Sequence, residues 1–101
     1  MKAIKESKFA IVILSENYAY SRWCLDELAQ IVACMEETGL QVIPIFYHVD
    51  PSKVRQLNGT FALAFAKHEE DSRDESEKIQ TWKDALTCVS RIAGFVVKDN
   101  T

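Results

Sequence analysis

The chain has 101 residues, which is enough for one small domain and too few for two. Its 48% hydrophobic and 27% charged residues are typical of an ordinary globular protein. The formal net charge of -3, with no cluster of lysines and arginines, argues against a nucleic-acid partner. The apolar run at residues 9–14 is too short to cross a membrane, so no membrane partner is expected either.

The first half of the chain predicts a strand, a helix and a second strand. Residues 9–14, FAIVIL, are continuously apolar and β-branched, which is typical of a buried parallel strand. Ser21 is a favourable N-cap for the following helix, and Gly39 supplies its C-terminal stop. Residues 42–47, VIPIFY, predict a second strand, although Pro44 argues against a central position in the sheet.

The second half predicts two helices and a last strand. Phe61 and Phe65 are spaced as neighbours on one face of a short helix. Residues 68–78 hold six acidic and two basic side chains, which favours a solvated loop over a docking segment for a basic partner. Apolar residues at helical spacing predict a helix over 79–92, and residues 95–97 predict a strand.

The order of these elements predicts the fold class. Strands that alternate with helices indicate an α/β protein with a parallel sheet and helices on its faces. Residues 1–6 are similar to the tail of a further helix. Such a first strand needs neighbours on both sides, so a segment that precedes residue 1 is expected to belong to the same sheet.

The cysteines are candidates for two roles. Cys24, Cys34 and Cys88 are odd in number and follow no signal-peptide pattern, which favours reduced thiols packed as small apolar side chains. A zinc site that combines them with His48 and His68 is the alternative, but the spacing matches no common metal-ligand pattern. We therefore expect no metal.

An aromatic–acidic pair lies on the first predicted helix. Its apolar stripe is formed by Leu25, Leu28, Ala29, Val32 and Met35. Trp23 and Glu27 lie on the other side of the helix, about 40° apart. Either the indole packs under a neighbouring loop while Glu27 is solvated, or the pair lies in a cleft at the end of the first strand. In such a cleft the indole would stack on a planar group, and the carboxylate would bind sugar hydroxyls or stabilise positive charge.

Three motifs carry a family resemblance, and with the helix around Trp82 they cover nearly the whole chain: FAIVILSENYAYSRWCLDELAQI, VIPIFYHVDPSKVR and GTFALAFAKHE. The chain resembles the TIR (Toll/interleukin-1 receptor) domain of plant intracellular immune receptors of the TIR-NBS-LRR type. The resemblance implies a flavodoxin-like parallel sheet flanked by helices and a cytoplasmic or nuclear location. It also implies cleavage of NAD⁺, as substrate and not cofactor, at the nicotinamide–ribose bond when TIR domains assemble with one another.

The resemblance also assigns roles to individual residues. Glu27 is implied to be catalytic, while Trp23 and Ser21 are implied to bind substrate. A carboxylate near the ribose stabilises an oxocarbenium-like transition state, or it acts as nucleophile, and the sequence leaves both roles open. Asp26 is turned by about 100° from Glu27, so we do not expect it to take part.

The resemblance predicts a single partial TIR domain over residues 1–101 that lacks the family's first two strands and first helix. The missing strand would leave residues 9–14 as an open, apolar edge that favours aggregation. The alternative function is therefore a non-catalytic module that binds other TIR domains through residues 59–67 and 79–92. A plain flavodoxin-like ligand binder has little support, because no glycine-rich phosphate loop follows the first strand.

Overall fold

The computed structural model describes residues 9–98, so the helix tail predicted at residues 1–6 lies outside the described residues. The elements in chain order are β1 (Phe9–Leu14), α1 (Arg22–Thr38), β2 (Gln41–Tyr47), α2 (Pro51–Arg55), α3 (Thr60–Asp71), α4 (Ser76–Ser90) and β3 (Phe95–Val97). Two 3₁₀ turns, Tyr18–Tyr20 and Arg73–Glu75, precede α1 and α4. The predicted α/β class is confirmed. The structure also contains a short helix, α2, that was not predicted.

The three strands form one parallel sheet in the order β1-β2-β3, with β2 at its centre. Pro44 argued against a central position for this strand, and the structure contradicts that expectation. Pairing with β3 begins only at Ile45, opposite Phe95, so Pro44 lies just before the ladder between β2 and β3. Gly94 lies directly against Pro44, where a Cβ would collide with the proline's carbonyl oxygen. Pro44, which has no N–H, and Gly94, which has no side chain, therefore lie against each other.

The two faces of the sheet have different surroundings. One face is buried in the core, through Val12, Leu14, Val42 and Phe46. The opposite face, which we call the open sheet face, exposes Phe9, Ile11, Ile13 and Phe95 by more than half of each side chain. Strand register explains the grouping, because Ile13 pairs with Ile45, and Ile45 pairs with Phe95. Residues opposite each other in a sheet share a face.

Residues 68–78 are largely helical, so the prediction of a solvated loop is wrong. Helix α3 continues to Asp71, the 3₁₀ turn Arg73–Glu75 follows, and α4 begins at Ser76. The cause is His68, whose imidazole is buried and donates from Nε2 to the carbonyl oxygen of Ala19 at 2.7 Å. This anchor holds the last turns of α3 on the core, while the glutamates beside it are good helix formers that remain solvated.

Helix α4 supplies the largest buried side chain of the described residues, Trp82. Ile79, Leu86 and Val89 are also buried on the same face, as the spacing predicts. The helix ends at Ser90, so Ile92 packs against the core from the turn before β3 and not from the helix. Trp82 contacts the edge of His68, with ring centroids 5.4 Å apart, and this contact joins α4 to α3.

Candidate functional site

Helix α1 carries the candidate site, and its two ends are set by the predicted caps. The Oγ of Ser21 accepts the backbone N–H of Cys24 at 3.2 Å, which confirms Ser21 as the N-cap. Gly39 adopts the left-handed conformation with φ of 73°, and its N–H bonds to the carbonyl of Met35. The Ser21 cap sets where α1 begins, and Gly39 sets where it ends.

The core-facing side of α1 is rotated slightly from the predicted stripe. Leu25 and Leu28 are fully buried, as predicted, but the third buried side chain is Ile31, which the prediction omitted. Ala29, Val32 and Met35 are only partly buried. The side chain of Trp23 is 73% exposed, so no loop among residues 9–98 covers it.

Trp23 and Glu27 are in direct contact on the outer side of α1. The indole Nε1 of Trp23 donates to Oε2 of Glu27 at 3.0 Å. The two side chains line a hollow of about 250 Å³ together with Asp26 and Gln30. The structure therefore brings together two of the three residues that the sequence assigns to the site. Ser21, the third, is the N-cap, two residues before Trp23 and six before Glu27.

Asp26 has a separate partner, which sequence reasoning missed. The indole Nε1 of Trp82 donates to Oδ1 of Asp26 at 3.0 Å, across the contact between α1 and α4. Lys78 lies 3.6 Å from the same oxygen. A signal was available, because a buried tryptophan needs an acceptor for its N–H. The acceptor could not be chosen without knowing how the two helices pack.

Arg22, one turn before Asp26, reaches the 3₁₀ turn in front of α4. Its guanidinium donates to Oγ of Ser72 at 2.8 Å and to Oε1 of Glu75 at 2.9 Å. This hydrogen bond holds the pKa of the Glu75 carboxyl below its ordinary value. The same guanidinium lies over the Trp82 ring, 5.2 Å from its centroid.

Tyr18 lies under the start of α1 and is a fixed donor. Its hydroxyl donates to the carbonyl oxygen of Cys24 at 3.2 Å. Burial raises the pKa of the Tyr18 phenol well above its ordinary value, and the nearby Cys24 and Glu27 raise it further. The phenol therefore stays protonated, and it adds no negative charge beside Glu27.

A second hollow, of about 310 Å³, opens at the carboxyl ends of β1 and β2. Its polar lining comes from Glu16, His48, Asp50, Lys53, Asn58 and Thr60. The backbone N–H and then the hydroxyl of Ser52 hold the pKa of Asp50 below its ordinary value. Neither Trp23 nor Glu27 lines this hollow, so the pair occupies a separate place on the outer surface of α1.

The described residues also bear on metals and membranes. Cys24, Cys34 and Cys88 are free, and each is partly buried, whereas the sequence predicts buried, reduced thiols. No group of three or more potential metal ligands comes together in residues 9–98. Within the same residues, no helix has the length and apolar character needed to span a bilayer.

A parallel sheet with helices that carry an aromatic–carboxylate pair defines an open α/β domain with a surface site. The family model for the TIR domain matches residues 1–101, and the chain belongs to this family. The predicted family is therefore confirmed.

The relatives are plant disease resistance proteins. The chain is 49% identical over 100 residues to disease resistance protein RPV1 of Vitis rotundifolia, covering 99% of this chain and 7% of that protein. It is 53% identical over 93 residues to TMV resistance protein N of Nicotiana glutinosa, covering 92% of this chain and 8% of that protein. The chain thus spans less than a tenth of the length of these two relatives.

A solved structure supports the same assignment. It is the activated Roq1 resistosome directly recognizing the pathogen effector XopQ, in its TIR domains. The match has a TM-score of 0.89 and 46% sequence identity, and it covers 98% of this chain and 60% of that chain. The α/β fold described above is therefore the TIR fold over nearly all of this chain.

Proposed function

We propose that this chain carries the catalytic carboxylate of a plant TIR domain that cleaves NAD⁺ at the nicotinamide–ribose bond in immune signalling. The observation that carries the proposal is the Trp23–Glu27 pair, hydrogen-bonded at 3.0 Å beside an open hollow. Membership of the TIR family and the relatives in disease resistance support it. The site of action is the cytoplasm or the nucleus, and NAD⁺ is the substrate with no further cofactor.

The chemistry follows from the two side chains. The C–N bond between ribose and nicotinamide breaks, its electron pair goes to the ring nitrogen, and nicotinamide leaves as a neutral molecule. The Glu27 carboxylate stabilises the positive charge that develops on the ribose. Water then adds to the ribose and releases a proton, which gives ADP-ribose. The exposed indole of Trp23 stacks on a planar ring, and its N–H fixes Oε2 of Glu27.

Ser21 has a role compatible with its position. Its Oγ accepts the N–H of Cys24, but a hydroxyl also carries one hydrogen to donate. That hydrogen is the group through which Ser21 would bind substrate. The helix cap and the substrate contact therefore use different parts of the same side chain.

Assembly with other TIR domains is the second part of the proposal. The solved relative is a resistosome, and its TIR domains match this chain over 98% of its length. The outer side of α3 exposes Leu63 by 63%, within the segment that the sequence assigns to contacts between TIR domains. This exposed leucine also favours the alternative, a non-catalytic TIR–TIR interaction module.

The test is nicotinamide release from NAD⁺ by the purified chain at high concentration. We expect Glu27→Ala and Glu27→Gln each to lower kcat by about 100-fold or more, because both remove the charge that stabilises the transition state. Glu37→Ala is the matched control, since Glu37 is an exposed glutamate of the same helix. Release that is unchanged in Glu27→Gln would refute the catalytic role of Glu27. A folded, assembled chain that releases no nicotinamide would favour the interaction module.

A further inference from the structure

Two consecutive carboxylates of α1 each accept an indole N–H. Glu27 accepts from Trp23 at 3.0 Å on the exposed side of the helix. Asp26 accepts from Trp82 at 3.0 Å on the side that packs on α4. Because successive residues of a helix are turned by about 100°, the two bonds point in different directions from the same turn. The Trp23–Glu27 bond lies at the proposed site, and the Trp82–Asp26 bond holds the same turn of α1 against α4.

The bond behind the site belongs to a larger clamp. Arg22, one turn before Asp26, donates to Ser72 and Glu75 and lies over the ring of Trp82. Trp82 itself is 1% exposed, so its position is fixed by the core. The first turns of a helix are otherwise prone to fray, since their first N–H groups have no partner within the helix. The clamp therefore holds the two turns that carry Trp23 and Glu27.

We infer that Asp26 and Trp82 are positioning residues, which orient the Trp23–Glu27 pair by fixing the first two turns of α1 against α4. This inference deepens the proposed function and rests on it for its catalytic consequence. Asp26 also forms part of the wall of the hollow beside Glu27, but its Oδ1 is engaged by Trp82 and Lys78. Asp26 therefore contributes by positioning α1, and Glu27 is the carboxylate that acts on the reacting atoms.

The indole N–H resonances of the ¹H–¹⁵N spectrum test the inference directly. The chain has two tryptophans, so the indole signal that disappears in Trp23→Phe is the signal of Trp23. The Trp23 signal of Glu27→Ala marks the position of an indole that bonds only to water. We expect Asp26→Ala to move the Trp23 signal at least half of the way to that position. Asp26→Asn, which keeps an acceptor oxygen for Trp82, should restore the wild-type position.

The matched control is Asp84→Ala, which removes an exposed aspartate of α4 whose hydrogen bond, from Gln80, stays within its own helix. Its Trp23 signal should stay at the wild-type position. Trp82→Phe keeps most of the ring volume, so it decides the question if Asp26→Ala does not fold. A Trp23 signal that stays unchanged in every folded variant of Asp26 and Trp82 would overturn the inference.

Nicotinamide release separates this inference from the proposed function. If the wild-type chain is active, we expect Asp26→Ala to lower kcat by about 10-fold or more, because small displacements of a catalytic group are costly. The same release should recover in Asp26→Asn. If the wild-type chain is inactive, the proposed function fails, while the movement of the Trp23 signal still supports or overturns the positioning of the pair.

Discussion

At the residue scale, neighbouring side chains of α1 differ in role because the helix turns between them. Trp23 and Glu27 lie on the solvent side, whereas Arg22 and Asp26 face α4 and its preceding turn. In the sequence, only the angle of about 100° between successive helical residues distinguishes Asp26 from Glu27. That angle is the reason that we predict no catalytic role for Asp26, whereas the identity of its partner depends on tertiary packing.

The carboxyl of Glu75 makes a pH-dependent contribution to stability. The hydrogen bond from Arg22 holds its pKa below the ordinary value of 4.5, with a smaller effect from Lys78. The stabilisation is therefore complete above the ordinary pKa and is lost as the pH falls through the lowered one. We expect Glu75→Gln to lower the urea midpoint at pH 7, and this difference from wild type to disappear in strong acid.

The control for Glu75 is Glu70→Gln, which neutralises an exposed glutamate of α3. The comparison needs urea unfolding of all three proteins at several values of pH. An equal loss of stability in Glu75→Gln at neutral and acidic pH would contradict the role of the Arg22 bond.

At the element scale, one hydroxyl, that of Ser21, caps the start of α1. We expect Ser21→Ala to lower the free energy of unfolding by about 1 kcal/mol, because the N–H of Cys24 loses its partner. Ser21→Asn should retain nearly all of the stability, since asparagine is an equally good N-cap. Chemical denaturation measures both.

The same two variants separate the two roles of Ser21. If Ser21 also binds substrate, Ser21→Asn will keep stability but raise the KM for NAD⁺, whereas a purely structural serine would leave the KM unchanged. Equal stability of Ser21→Ala and wild type would contradict the N-cap role.

The elements that the sequence predicted well are those with strong local signals. The continuous apolar run of β1, the serine and glycine caps of α1 and the helical spacing of α4 all lie where they were expected. The helical character of residues 68–78 was missed because the composition of this segment is dominated by side chains on the solvated side of the helix. The one buried side chain, His68, does not stand out in it. His68 and its bond to Ala19 are contacts between distant parts of the chain, which no local pattern contains.

At the scale of the whole molecule, the open sheet face is the feature that should dominate behaviour in solution. Ile11 and Ile13 expose 56% and 57% of their side chains beside Phe9 and Phe95. We expect Ile13→Lys to shift self-association of the chain to about 10-fold higher concentration. The reason is that association no longer gains free energy from removing the apolar side chain of Ile13 from water. Sedimentation velocity over a range of concentrations measures the shift.

Ala33→Lys is the matched control for the open sheet face. It introduces a positive charge at an exposed alanine of α1, outside the segments expected to contact other TIR domains. If both variants shift association equally, net charge is responsible and the open sheet face is not.

The geometry of the Trp23–Glu27 pair was predictable from helical spacing, while its role in catalysis stays a prediction. Trp23 and Glu27 were predicted as i, i+4 neighbours away from the core, and their hydrogen bond agrees with that spacing. Their separation from the hollow at the strand ends was not predictable, because it depends on how α1 lies across the sheet. The central place of Pro44 was missed for a similar reason, since β3 begins to pair only beyond it.

The register of the sheet also sets an order of assembly for the growing chain. Phe9 pairs with Gln41 across a single helix, whereas Ile45 pairs with Phe95 across roughly half of the chain. Closing the longer loop costs more entropy and must wait for α3 and α4 to be made. The β1–α1–β2 unit can therefore form while the ribosome is still adding the following residues, and β3 joins the sheet only after α4 has been made.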